Sequence, residues 1–236
     1  MTETTPTATK APRYRPVNFG VTRVNLREGA NGTRYLQADL PLGAYARRVT
    51  DFLVHWAETT PDHSFVARRA PLAGGGTGDW QHVSYGQALE AARSIGQALL
   101  NRGLSADRPV LILSENSLEH ALMALGCLYA GVPYCPVTPA YATASQDYDK
   151  LRHVVSTLTP GLVYATDGAR FGKALQATLD DSVEVVLNQG NIDGRTTTPF
   201  ADLRATAATD QIDAAIPATA PGPLVPPPPT SAPTNL

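Results

Sequence analysis

Apolar positions change their spacing several times along the chain. Val49, Phe52, Leu53 and Trp56 recur at three- and four-residue steps, which predicts an amphipathic helix packed on a core, capped by Thr50 and followed by Pro61. Residues 63–70 and 80–85 read as two short strands, and the glycines of LAGGGTGD between them suit a flexible hairpin connection. Ser84 opens a stronger helix: Gln87 completes a capping box, Leu89, Ala92, Ile95 and Leu99 form one apolar stripe, and Gly103 supplies the stop. The run PVLILS is then continuously apolar, as a parallel strand buried on both faces should be.

The alternation continues. A helix over 117–130 presents Leu118, Ala121, Leu122, Leu125 and Leu128, ends at Gly131 and feeds the strand VPYCPV. A polar helix over 145–158, the strand GLVYAT, a helix over 169–179 and the strand VEVVLN follow. Strands alternating with helices predict an α/β fold, a doubly wound and mainly parallel sheet flanked by helices. The ends fit no such pattern. Residues 1–16 are rich in Thr, Pro and Ala and read as a disordered lead-in, with order from about Val17. PFADLRA reads as one short helix, and residues 207–236 read as a disordered Ala-, Thr- and Pro-rich tail after a body of 17–206.

Composition removes several functions. A formal charge of −2 and scattered Lys and Arg give no basic surface for a phosphate backbone, so nucleic acid is not an expected partner. The N-terminus has no apolar signal core, and the longest apolar stretch, ALMALGCLYAGVPYCPV, is too short and too broken by Gly and Pro to span a bilayer. A soluble, cytoplasmic protein without membrane contact is expected. The two cysteines, Cys127 and Cys135, have no His at metal-ligand spacing and read as small buried hydrophobes.

Few residues carry obvious chemistry. The glycine run lacks the Gly-Lys-Ser/Thr of a nucleotide loop, since Asp79 and Trp80 follow it. The five histidines are dispersed, and Asp180 and Asp181 are adjacent, so on a helix they diverge toward solvent. No metal site and no catalytic residue is assigned. Arg170 and Lys173 lie beyond the carboxyl end of GLVYAT, where open α/β sheets bind ligands and a cationic pair meets phosphate; taken alone they also fit a solvated helix face.

The block from Trp80 to Tyr141 resembles the N-terminal region of the adenylate-forming superfamily: acyl-CoA synthetases, luciferases and peptide-synthetase adenylation domains. The residues that carry it are Ser84-Tyr85, Gly103-Leu104, Val110 to Leu113, Glu115-Asn116-Ser117, Ala130-Gly131 and Pro136 to Pro139, in that order. The stretch VTDFLVHWAETTPDHSFVARRAP, with PVNFGVTRVNL ahead of it, is most similar to feruloyl-CoA synthetases and related aromatic acid–CoA ligases. The resemblance implies ATP, Mg²⁺ and CoA as cofactors, an aromatic carboxylic acid as substrate, and an acyl adenylate followed by a CoA thioester. It also implies that Arg170 and Lys173 approach the CoA phosphates. Thr138-Pro139-Ala140 stands where acetyl-CoA synthetases carry a glycine-containing segment.

The resemblance runs from about Val17 to about Thr206, roughly the first third of a family member. The family's Ser/Thr/Gly-rich phosphate loop ending in Pro-Lys, its downstream metal-binding Glu, its ribose-binding Asp and its C-terminal lysine domain are not in the sequence. The expectation is a truncated N-terminal part, inactive alone, with its reading frame shifted near residues 212–220. The alternative is a non-catalytic α/β binding module whose PPPP segment meets a peptide-binding partner, for which the composition alone is a weak warrant.

Overall fold

A computed structural model describes residues 23–40, 46, 48–72, 74–144 and 146–214. The expected lead-in and most of the expected tail lie outside the described residues. The chain divides into two parts between Tyr45 and Ala46. In the first, β1 (Val24–Glu28) and β2 (Arg34–Ala38) pair antiparallel across a single 3-10 turn.

The second part begins with α1 (Val49–Thr59) and the antiparallel pair β3 (Ser64–Pro71) and β4 (Thr77–Ser84). Gly75 and Gly76 hold φ of 85° and 91° at the tip of that hairpin, so the glycine run is a turn. Then come α2 (Tyr85–Asn101), β5 (Val110–Leu113), α3 (Leu118–Ala130), β6 (Tyr134–Val137), α4 (Ala140–Thr143), α5 (Asp149–Leu158), β7 (Leu162–Asp167), α6 (Gly168–Thr178), β8 (Glu184–Gln189), β9 (Thr198–Pro199), α7 (Phe200–Arg204) and α8 (Asp210–Ala214).

Five strands form one sheet in the order β6-β5-β7-β8-β9, every pair parallel. Side chains of a strand alternate between faces, and here both faces are covered. Val110, Ile112, Leu162, Tyr164 and Val186 join the core under α2 and α3, whereas Leu111, Leu113, Val163, Ala165, Val185 and Leu187 join the core under α5 and α6. The expected α/β class with a parallel sheet between helices is the observed one. β6 carries Pro136 at a sheet edge, where a missing N–H costs no ladder bond.

Helix α2 starts as its sequence dictates. Gln87 N–H donates to Ser84 Oγ (3.3 Å), and Ser84 N–H donates to Gln87 Oε1 (2.9 Å). Cys127 and Cys135 are buried, and burial pushes both thiols up, that of Cys135 to about 11, so neither is a thiolate at neutral pH.

Three expectations are corrected by packing. Thr50 is not the cap of α1 but lies buried inside it; Arg48 precedes the helix, its N–H and Nε both bonded to Asp51 (3.1 and 2.7 Å). Of the α1 stripe only Leu53 is buried, while Val49, Phe52 and Trp56 are exposed, because α1 meets its neighbours through Thr50, Leu53 and Val54. On α3 the buried residues are Leu118, Leu122, Met123, Gly126, Cys127, Tyr129 and Ala130; of the expected stripe Leu118 and Leu122 are buried, while Ala121, Leu125 and Leu128 are half-buried. The helix is apolar nearly all round, so its orientation follows the close fit of Gly126 against Ile95 of α2.

Order also extends past Thr206. Residues 210–214 form α8, whose Ile212 is fully buried on α2 and α3. Asp213 accepts from Tyr129 Oη (2.6 Å) and from Arg93 Nε and Nη2 (3.1 and 2.6 Å), and Gln97 Oε1 accepts from Thr209 N–H (3.2 Å) and Oγ1 (2.8 Å). The body therefore runs beyond the expected boundary at 206/207.

Candidate functional site

In the sheet order β6-β5-β7-β8-β9 the chain moves outward from β5 to β6 and then returns to the other side of β5 as β7. The connections leave β5 and β7 in opposite directions, which opens a crevice at the carboxyl ends of those strands, the usual ligand position of open parallel sheets. A cavity of about 330 Å³ lies there, lined by residues that include Arg68, Glu115, Glu119, Asp167, Arg170 and Gln189.

Its walls are built locally. After β5, Ser114 Oγ donates to Glu115 O (2.6 Å), and His120 Nδ1 lies 3.3 Å from the same carbonyl, to which it donates in the tautomer protonated at Nδ1. Burial lowers the His120 pKa, and the bond to the Glu115 carbonyl opposes it in part. Ser117 Oγ caps α3 by accepting from His120 N–H (3.0 Å). The backbone carbonyl of Glu115 is thus held, while its side chain is exposed.

On the opposite wall Asp167 caps α6. Its Oδ1 accepts from Ala169 N–H (2.8 Å) and Arg170 N–H (3.2 Å), and its Oδ2 accepts from Gln189 Nε2 at the end of β8 (2.8 Å). The Gln189 bond is the largest effect and lowers this carboxyl; desolvation, the next, raises it, and the backbone bonds of Arg170 and Ala169 add to the lowering, so the group lies below its ordinary value. A lowered folded pKa gives stability that is present above the ordinary carboxylate pKa and lost as pH falls through the folded value. Asp167→Ala is accordingly expected to cost about 1 kcal/mol at neutral pH in urea denaturation. That cost should shrink in acid, and an acid-independent cost would assign the loss to packing.

The crevice brings together one of the two residues singled out by sequence. Arg170 lines it, its Nη2 2.6 Å from Glu115 Oε1. Lys173 is exposed on α6 and is not among the lining residues. Arg68, which sequence reading passed over, reaches the crevice from the β3–β4 hairpin with its Nη2 3.7 Å from Glu119 Oε1. No local pattern pointed to it, because only tertiary contact between the hairpin and α3 places it there. Two guanidiniums face three carboxylates, a formal balance of one negative charge.

Both Asp167 oxygens are engaged, Glu115 is paired with arginine, and among the described residues no group of three or more His, Cys, Asp and Glu is placed to hold a metal.

The sequence model of the AMP-binding enzyme family matches residues 53–233. The chain belongs to that family. The AMP-binding match runs past Thr206, where the resemblance was expected to end, and takes in the proline-rich segment. Two curated relatives are Bacitracin synthase 1 of Bacillus licheniformis, 31% identical over 150 residues, and Tyrocidine synthase 3 of Brevibacillus parabrevis, 27% identical over 131 residues. The matches take in 60% and 53% of this chain but only 3% and 2% of those proteins. Among solved structures, the luciferase-like enzyme of the nonluminescent mealworm Zophobas morio superposes with a TM-score of 0.50 at 15% identity, over 70% of this chain and 36% of that one. That likeness concerns the fold.

Proposed function

We propose that this AMP-binding chain is the N-terminal α/β part of an ATP-dependent aromatic acid–CoA ligase of the feruloyl-CoA synthetase type, and that it does not form an adenylate by itself. The family match over residues 53–233 supports the AMP-binding part of this reading. The motif residues support it by standing at element junctions: Ser84 caps α2, Ser117 caps α3 and Gly131 ends it. The aromatic acid rests on the likeness of residues 49–71 to that branch. A cytoplasmic setting, with ATP, an acid and CoA as small-molecule partners, goes with it; no helix among the described residues is long and apolar enough to cross a membrane.

In this reading Arg170 meets phosphates of CoA at the mouth of the crevice, with Lys173 one turn further along α6 as an outer cation. A planar guanidinium offers paired N–H donors that match phosphate oxygens. Adenylation needs cations between two anionic reactants. In this reading the change of frame lies after Asp213, since Ile212 is fully buried and Asp213 accepts from Tyr129 Oη.

ATP–pyrophosphate exchange with ferulate and related acids tests the proposal, run beside a longer family member. No exchange by this chain next to a working control is expected; exchange above background would overturn its inactivity alone.

A further inference from the structure

Both arginines of the crevice are held by carboxylates from one stretch of chain, the β5–α3 connection and the first turn of α3. Glu115 Oε1 is 2.6 Å from Arg170 Nη2, and Glu119 Oε1 is 3.7 Å from Arg68 Nη2. Carboxylate and phosphate oxygens use the same guanidinium N–H groups. We propose that Glu115 is a specificity-determining residue of this crevice: its carboxylate occupies the edge of Arg170 that an anionic ligand takes, so an anion binds by displacing it. The inference rests on Arg170 being a CoA phosphate contact.

The pair is open to exchange. The side chains of Arg170 and Glu115 are 46% and 56% exposed, and ion pairs this open are weak. A ligand with several phosphate charges outcompetes the carboxylate. Any anion also meets the released Glu115 with Glu119 and Asp167, a repulsion that grows with ligand charge as the attraction to Arg170 does. The exchange needs no backbone movement, because the Glu115 carbonyl is anchored by Ser114 and His120 while its side chain turns.

Calorimetric titration of the full chain with CoA provides the test, using wild type, Glu115→Gln, Glu115→Ala, Arg170→Gln and the double variant Glu115→Gln/Arg170→Gln. Both Glu115 variants are expected to bind CoA roughly five-fold more tightly, the range that removal of a weak competing pair allows. Arg170→Gln should weaken binding about ten-fold, as for a lost charge-assisted contact, and should abolish the gain in the double variant. If Arg170→Gln weakens binding while the Glu115 variants match wild type, the role of Glu115 is overturned and the Arg170 reading stands. A gain that persists without Arg170 also overturns it, as a general charge effect. Unchanged binding in Arg170→Gln, or no CoA binding by any variant, overturns both.

Discussion

Replacing Ile212 with alanine is expected to lower the unfolding free energy by about 2–5 kcal/mol, the usual cost of truncating a fully buried aliphatic side chain. The value looks out of place for a residue in an Ala-, Thr- and Asp-rich stretch near the chain's end. Yet Ile212 is 0% exposed, and its Cδ1 lies 3.1 Å from where a Cβ on Gly96 would stand, so the side chain fills space that a glycine of α2 leaves open. Polar bonds on either side fix the position: Thr209 to Gln97, and Asp213 to Tyr129 and Arg93. Alanine would leave a cavity that these anchors keep from collapsing.

Urea denaturation of wild type and Ile212→Ala measures the difference directly; a change under about 0.5 kcal/mol, typical of surface sites, would show α8 to be unpacked in solution. The same anchor responds to acid. Burial pushes the Asp213 carboxyl up, but the Tyr129 and Arg93 hydrogen bonds outweigh it and leave the group below its ordinary value. Its contribution is therefore complete above the ordinary carboxylate pKa and lost as pH falls through the folded one.

Gly168→Ala is the second large effect, and it joins stability to the crevice. A Cβ there would stand 2.5 Å from Asn191 O, 2.8 Å from Asn191 C and 2.8 Å from Leu187 Cδ1. Two of these atoms are backbone, so no rotamer change relieves the clash. The first turn of α6 or the connection after β8 must move. Overpacking of this kind costs about 1–3 kcal/mol, set against a gain of up to about 1 kcal/mol from replacing glycine in a helix.

The movement reaches the site. Asp167, one residue before, caps α6 and holds Gln189, and Arg170 lies two residues after. A lower melting temperature together with weaker CoA binding is expected. Gly74→Ala is the control, because a Cβ at Gly74 meets nothing within 4 Å. Equal melting temperatures for the two variants would mean that the chain at 190–192 yields freely.

The residues did not all speak with the same clarity. Strands β5, β7 and β8 were legible because a strand buried on both faces is continuously apolar whichever way it turns. The start of α2 was legible because Ser84 and Gln87 form a local device that needs no tertiary partner. Helices α1 and α3 were found, but not the faces they bury. Apolar periodicity gives the existence of a helix, while its rotation depends on which neighbour fits most closely, Gly126 on Ile95 in the case of α3. Helix α8 was missed because five residues with one aliphatic side chain carry no period.

The same division runs through the site. Sequence alone determined an α/β chain of apolar strands alternating with helices, and it placed Arg170 just past the end of one strand, because strand ends and helix caps are local events. Only the tertiary structure decided which strand ends lie side by side, since the order β6-β5-β7-β8-β9 comes from pairing between distant segments. It also brought Arg68 in from a separate hairpin and set Glu115 against Arg170. Charge partners separated by tens of residues leave no trace in local spacing; they meet because burying both faces of the sheet leaves the chain one compact way to close.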